Sequence, residues 1–234
     1  MKKIFIIINL LYLLLVIFTF TIVFNQNYVD KDLSKIDLDK VDKLMIVAHP
    51  DDELLWGGSH LLDDDYLVVC ITCGPNITRV NEFKKVMKKT NDEYIMLGYP
   101  DKRLNIRSNW NDEKDDIYLD IYNIIKLKDW DLIVTHNKQG EYGHIHHKMT
   151  HEIVVDVYND LNRTDDLYFF GKYYTKSRLN KLSSKPNRIS EDNLSKKTKL
   201  IDLYKTQSFI KDKFSQMFAY EDWTKYDNII SLER

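Results

Sequence analysis

The sequence has almost no net charge and only two cysteines. Its 234 residues include 34 lysines and arginines against 36 aspartates and glutamates, a formal charge of −2 at pH 7. Such a balance argues against a strongly basic nucleic-acid-binding protein. No internal repeat is evident. The length leaves room for one domain of ordinary size.

The two cysteines, Cys70 and Cys73, lie in a hydrophobic run typical of a buried strand. A spacing of three residues in a strand points the two side chains to opposite faces. Zinc sites built on cysteine usually need a second pair. We therefore interpret both cysteines as structural, rather than as a redox pair or a zinc knuckle.

An uncharged apolar run occupies residues 4–24. About 20 apolar residues suffice to cross a bilayer as a helix. A cleaved signal peptide has a shorter apolar region of about 7–15 residues and a small-residue cleavage site. We therefore predict one transmembrane anchor at 4–24, a polar linker at 25–41 and a folded domain at 42–234.

Basic residues flank both ends of the predicted span, and four lysines follow it, against Lys2, Lys3 and the amino terminus before it. This bias favours a cytosolic domain in a single-pass membrane protein. Three Asn-x-Ser/Thr triplets would matter only if the domain faced a lumen. They begin at Asn76, Asn162 and Asn193.

Short apolar runs alternate with helix-compatible stretches along the domain. The predicted strands are Lys43–Ala48, Tyr66–Thr72, Tyr94–Leu97, Asp131–Thr135 and Asp166–Phe170. The predicted helices are Glu53–Leu62, Arg79–Lys89, Asp115–Leu127, Ile145–Asn159 and Lys196–Phe209. This alternation predicts an α/β domain with a doubly wound, mostly parallel sheet. The polar stretch Thr175–Lys197 is typical of a solvated loop.

Polar residues follow the first apolar run, where a parallel sheet forms its binding crevice. Pro50 ends the strand because it lacks an N–H group, which leaves His49, Asp51 and Asp52 in the turn before a helix. Helix capping would explain one of these acids. It does not explain two acids beside a histidine.

A second cluster, residues 135–151, holds five of the seven histidines. If a helix starts near His144, then His144, His147 and His151 share one face and His146 points elsewhere. A histidine–aspartate turn together with a histidine-bearing helix indicates a metal site. The spacing alone does not say which imidazoles bind the metal.

These motifs resemble a known family. His49-Pro-Asp-Asp-Glu53 resembles the Ala-His-Pro-Asp-Asp-Glu signature of the LmbE-like and N-acetylglucosaminyl-phosphatidylinositol deacetylases. Gly143-His144-x-x-His147 resembles their Gly-His-x-x-His signature. The resemblance extends from residue 42 to about 210, with weaker landmarks at Arg79, Asp101 and Tyr204, and implies a Rossmann-like fold.

The resemblance also implies roles for individual residues. The metal would be Zn²⁺, with other divalent ions as alternatives, and its three protein ligands leave an open fourth position. The implied ligands are His49, Asp52 and His147. The implied catalytic residues are Asp51, as general base, and a protonated His144, and the implied substrate contacts are Arg79 and Asp101. At His146 many relatives have Asp or Asn, whose charge an imidazole does not supply.

The function implied is zinc-dependent release of acetate from N-acetylglucosaminyl-phosphatidylinositol in GPI-anchor biosynthesis. The protein would then lie in the endoplasmic reticulum membrane and act on a glycolipid, with no nucleic-acid partner. Two alternatives stay open. The substrate could be a soluble N-acetylglucosamine conjugate or another acetylated sugar. The protein could also be a membrane-tethered glycan-binding protein without catalysis.

Overall fold

The computed structural model describes residues 8–16, 34, 36–103 and 105–226. Within these ranges eight strands are present. They are β1 (Lys43–Val47), β2 (Tyr66–Thr72), β3 (Glu93–Tyr99), β4 (Lys102–Arg103), β5 (Ile106–Arg107), β6 (Leu132–Thr135), β7 (Asp166–Phe169) and β8 (Thr224–Lys225). Six of them form one sheet in the order β3-β2-β1-β6-β7-β8, and β4 pairs with β5 in a small antiparallel hairpin.

Helices cover both faces of the sheet. They are α1 (Asp52–Asp63), α2 (Ile77–Thr90), α3 (Lys114–Ile125), α4 (Gly140–Gly143), α5 (Ile145–Asp160), α6 (Lys176–Lys181), α7 (Glu191–Ile201) and α8 (Phe209–Phe214). Short 3-10 turns occupy Lys205–Gln207 and Ser215–Met217. Apolar residues of α3 and α5 pack on one face of the sheet, and those of α1, α2, α7 and α8 on the other.

The predicted α/β architecture with a mostly parallel sheet is confirmed. The first five strands of the large sheet are mutually parallel, and only β8 runs antiparallel, to β7. The strands β4, β5 and β8 were not predicted from the sequence. Each has only two residues, too few to show an alternation of apolar and polar positions.

The predicted helix Lys196–Phe209 is wrong in position. The helix is α7, and Ser190 caps its start by accepting a hydrogen bond from the Asn193 N–H at 3.1 Å. The stretch expected to be a solvated loop contains α6 and most of α7, and it buries Asn193 and Lys197. These polar side chains are buried because each has buried partners, which composition does not reveal.

The folded domain begins before the predicted boundary at residue 42. Ile36 and Val41, which lie in the predicted linker, are buried in the core beneath α3 and α5. A polar composition does not prevent single apolar residues from packing. Of the predicted span 4–24, residues 8–16 are helical and the rest lies outside the described residues. Among the described helices none has the length and apolarity needed to cross a bilayer.

The sheet order places a crevice at the end of β1. This strand lies between β2 and β6. The chain adds β2 and β3 on one side of β1 and later adds β6 and β7 on the other side. Such a switch point opens a cleft at the carboxyl ends of the strands. Both α1 and α5 begin at this edge, so their first turns face each other across the cleft.

The orientation of α1 depends on a buried ion pair. Lys197 on α7 donates to Glu221 Oε1 at 2.7 Å and to the Leu55 carbonyl on α1 at 3.0 Å. Both side chains of the pair are almost fully buried. Glu221 also accepts from the Ser59 N–H of α1 at 2.8 Å.

Replacing Lys197 with Met should therefore destabilise the fold by about 3–5 kcal/mol, because it leaves the Glu221 carboxylate buried without a counter-charge. Chemical denaturation measures this change. Lys196→Met is the matched control, since Lys196 is an exposed neighbour paired with Asp192. Equal stability of the two variants would contradict the role of the buried pair.

Candidate metal centre

Three side chains converge at the switch point. His49 follows β1, Asp52 begins α1, and His147 lies in the first turn of α5. Asp52 Oδ2 lies 3.1 Å from His49 Nδ1 and 3.2 Å from His147 Nε2. All three residues are buried, and their possible ligand atoms lie within 4.8 Å of one another. The structure thus brings together the three ligands that the family resemblance implied.

The free nitrogen of His147 fits a metal ligand. His147 Nδ1 donates to Glu141, which leaves Nε2 buried without a hydrogen-bond partner. An unpaired buried nitrogen is unfavourable unless something else binds its lone pair. Burial acts to lower the pKa of His147, but Asp52 and Glu141 raise it to about 10, so without a metal a proton occupies the position of that lone pair. The pocket therefore favours a cation, and a two-histidine, one-carboxylate set suits zinc and similar divalent ions.

His146 holds the other end of His49. His146 Nε2 donates to the Ser108 carbonyl at 2.7 Å, and its ring stacks on Trp110 at 4.1 Å. Its Nδ1 is then an acceptor, 3.0 Å from His49 Nε2. His49 therefore carries its proton on Nε2 and turns the Nδ1 lone pair toward Asp52 and His147. The expectation that His146 points away from the site is wrong, because its ring crosses to His49.

Glu141 is a site residue that sequence reasoning missed. Its Oε2 accepts from Nδ1 of both His136 and His147, and its Oε1 accepts from the Asn137 N–H at 3.0 Å. Its backbone φ of 52° lies in the left-handed region, which is rare for a glutamate. Burial, followed by the charge of His147, lowers the pKa of His136. His136 Nε2 accepts from the Ala48 N–H at 3.0 Å, so His136 supports the site from behind rather than binding metal.

Asp51 lies beside the ligand set in a strained conformation. Its φ of 122° falls where a non-glycine backbone costs about 1–3 kcal/mol. Its N–H donates to Glu53 Oε2 at 2.9 Å, and Glu53 Oε1 accepts from the Tyr204 hydroxyl at 2.6 Å. Burial and the neighbouring Asp52 carboxylate raise the pKa of Asp51 well above its usual range. Asp51 is thus suited to accept and hold a proton more readily than an ordinary carboxylate does.

Arg79 and Asp101 also border the site. Arg79 donates to the Pro50 carbonyl at 2.8 Å and to Cys73 Sγ at 3.2 Å, and its guanidinium lies 3.7 Å from Asp51. Asp101 Oδ1 lies 3.5 Å from His49 Nε2. Burial acts to raise the pKa of Asp101, but His49 and the nearby arginines lower it. Their predicted contact with substrate stays a prediction.

His144 lies at the mouth of the site, partly exposed. Its ring centre is 4.6 Å from that of His49 and 4.5 Å from that of His147. Its Nδ1 accepts the His146 N–H at 3.2 Å and so caps α5. Burial and the two neighbouring imidazoles lower the pKa of His144, which disfavours the protonated form that the family resemblance implied. His151, predicted on the same face, bonds instead to the His136 carbonyl at 2.9 Å.

The sequence profile of the GlcNAc-PI de-N-acetylase (PIG-L) family matches residues 44–158, which include both motifs. Residues 44–158 of this chain belong to the GlcNAc-PI de-N-acetylase family. The chain is also 32% identical over 158 residues to an uncharacterized protein of Acanthamoeba polyphaga mimivirus. That match covers 60% of this chain and 65% of the viral protein, so the chain spans about two thirds of that relative.

Two solved structures share the fold of this chain. The A40926 pseudoaglycone deacetylase Dbv21 has a TM-score of 0.55 at 17% identity, covering 74% of this chain and 85% of Dbv21. GalB, the 4-carboxy-2-hydroxymuconate hydratase from Pseudomonas putida KT2440, has a TM-score of 0.55 at 12% identity, covering 75% of this chain and 84% of GalB. GalB is a hydratase, so the fold is compatible with more than one reaction.

Glu141→Gln should weaken metal binding about 10- to 100-fold, because a neutral amide no longer provides the charged acceptor that orients His147. Competition with a chromogenic chelator measures the affinity. Glu152→Gln is the control, since Glu152 lies exposed on the same helix, α5, and pairs with Lys114. Equal affinities in the two variants would show that Glu141 does not support the metal ligands.

Proposed function

We propose that this PIG-L family domain is a metal-dependent N-deacetylase that releases acetate from an N-acetylglucosamine conjugate. The observation that carries the proposal is a buried Asp51 carboxylate directly beside the His49, Asp52 and His147 set but outside it. A site that only binds sugar has no need of a base next to a metal. The family membership supports amide hydrolysis over the hydratase reaction named for GalB.

The residues divide the chemistry between them. A divalent metal held by His49, Asp52 and His147 would polarise the acetamide carbonyl and lower the pKa of a water. Asp51 accepts a proton from the attacking water and, because burial raises its pKa, holds that proton for the departing amine. His144 acts as a neutral Nε2–H donor to the oxygen of the tetrahedral intermediate.

The substrate we favour is N-acetylglucosaminyl-phosphatidylinositol, with Zn²⁺ as the metal. The family description supports this choice, as does the uncharged run at 4–24, which would anchor the domain in the membrane that holds such a lipid. We propose that the membrane is that of the endoplasmic reticulum, with the domain in the cytosol. The alternatives remain a soluble acetylated sugar and a glycan-binding protein without catalysis.

Asp51→Asn should retain zinc yet lose about 10²- to 10⁴-fold in turnover, because the amide cannot accept the proton. The measurements are acetate release and bound zinc per chain. Asp112→Asn, an exposed acid outside the site, is the control. An unchanged rate in Asp51→Asn would exclude Asp51 as the base.

The substrate class is tested by offering N-acetylglucosaminyl-phosphatidylinositol and free N-acetylglucosamine to the full chain in parallel. We expect acetate release from the lipid, loss of release with a chelator, and recovery on adding zinc. Release from the soluble sugar would instead indicate a general sugar deacetylase. No release from either by the zinc-loaded protein would contradict the proposed function.

A further inference from the structure

Arg107 reaches the mouth of the site from the β4–β5 hairpin. Its Nη1 contacts His144 Nε2 and lies 3.3 Å from Asp101 Oδ1. Its side chain is 42% exposed, so the guanidinium borders both the site and solvent. Neither family motif contains this residue, and sequence reasoning gave it no role.

The contact between Arg107 and His144 joins two hydrogen-bond donors. His144 Nδ1 accepts the His146 N–H at the start of α5, so Nδ1 carries no proton. A neutral imidazole has a single N–H, which must then be on Nε2. Arginine has donors and no acceptor. The two groups therefore cannot hydrogen-bond to each other. Arg107 Nη1 has a protein acceptor in Asp101 Oδ1 at 3.3 Å, and an acceptor from a bound substrate can take a hydrogen bond from both Arg107 and His144 Nε2.

The position of this pair indicates which oxygen it would bind. The His144 ring lies within 5 Å of the His49 and His147 rings, so an acceptor bound to Nε2 would adjoin the ligand set. Arg79, the other arginine at the site, is less available for the role, because its side chain is buried and both Nη1 and Nη2 donate to protein groups. Arg107 is more exposed, and its contacts with Asp101 and His144 are made through Nη1.

We infer that Arg107 and His144 together donate to the acyl oxygen of the scissile amide. This inference rests on the proposed deacetylase function and assigns Arg107 as a catalytic residue. Charge develops on that oxygen as the tetrahedral intermediate forms, and a charged donor placed there in advance stabilises it. The Asp101 carboxylate keeps the guanidinium at the site by its contact with Nη1.

Two other roles for Arg107 predict different kinetics. If Arg107 bound a charged group elsewhere on the substrate, its loss would raise KM for phosphate-bearing substrates and spare kcat. If Arg107 only held Asp101 and the hairpin, its loss would lower thermal stability or zinc content. A donor to the developing oxyanion lowers kcat on a neutral substrate, with KM and zinc content unchanged.

The test compares Arg107→Met with Arg103→Met in the zinc-loaded full chain. Arg103 lies on the same hairpin but pairs with Glu113, so it controls for loss of an exposed charge. The substrates are N-acetylglucosaminyl-phosphatidylinositol and the neutral methyl glycoside of N-acetylglucosamine. On every substrate that the native protein cleaves, we expect kcat to fall about 10²- to 10³-fold in Arg107→Met only. Arg107→Lys should recover part of the loss, because lysine keeps a charged donor.

Acetate binding gives a readout that does not depend on turnover. An acetate oxygen can occupy the same place as the acyl oxygen, so calorimetry should show at least about a fivefold weaker affinity for acetate in Arg107→Met than in Arg103→Met. Equal kcat values, or equal acetate affinities, in the two variants would overturn the inference. If the native protein releases no acetate from any substrate, the proposed function fails instead, and the acetate titration still decides whether Arg107 and His144 share an acceptor.

Discussion

One carboxylate oxygen, Asp52 Oδ2, organises the site. It accepts the backbone N–H of His49 at 2.9 Å and lies within 3.5 Å of ring nitrogens of His49, His147 and His136. Burial alone would raise the pKa of Asp52, but the surrounding imidazoles, His147 first, lower it well below its usual range. A buried carboxylate is kept ionised only by such partners. The positions of the strand, turn and helices that carry these imidazoles therefore depend on their contacts with one carboxylate anion.

Three different hydrogen bonds orient the imidazoles on the side away from the cleft. His147 is held by the Glu141 carboxylate, His49 by the ring of His146, and His144 by the backbone at the start of α5. Each hydrogen bond fixes the tautomer of its imidazole, and hence which ring nitrogen faces the cleft. The ring of His146 does this without charge, because Ser108 and Trp110 set its own tautomer and orientation. Replacement of an acid by an imidazole is thus compatible with an ordered ligand set.

The sequence predicted what depends on local pattern. The runs of β1 and β2, the turn holding His49 and Asp52, and the helix holding His147 all follow from apolar periodicity and spacing. It did not predict contacts between residues distant in the chain. Arg107 has no local pattern that marks it, because its role arises from a contact with His144, 37 residues away. Glu141 is close in sequence to His136 and His147, but it reaches them through an irregular turn with a positive φ, which the sequence pattern does not predict. The buried Lys197 and Asn193 were misjudged for the same reason, since a lysine or asparagine is read as exposed until its partner is known.

The strained turn at Asp51 separates its carboxylate from the three predicted metal ligands. With a φ of 122°, the backbone directs Asp52 into the ligand set while the Asp51 carboxylate lies on the side of Arg79. Glu53, whose pKa burial raises to about 7, accepts both the Asp51 N–H and the Tyr204 hydroxyl and so holds the turn from below. The two adjacent carboxylates thereby have opposite pKa shifts. Imidazoles lower the pKa of Asp52 and keep it charged, whereas burial and the Asp52 charge raise the pKa of Asp51 and favour its protonated form. Two neighbouring acids with separated pKa values can divide binding from proton transfer, which two equivalent acids cannot do.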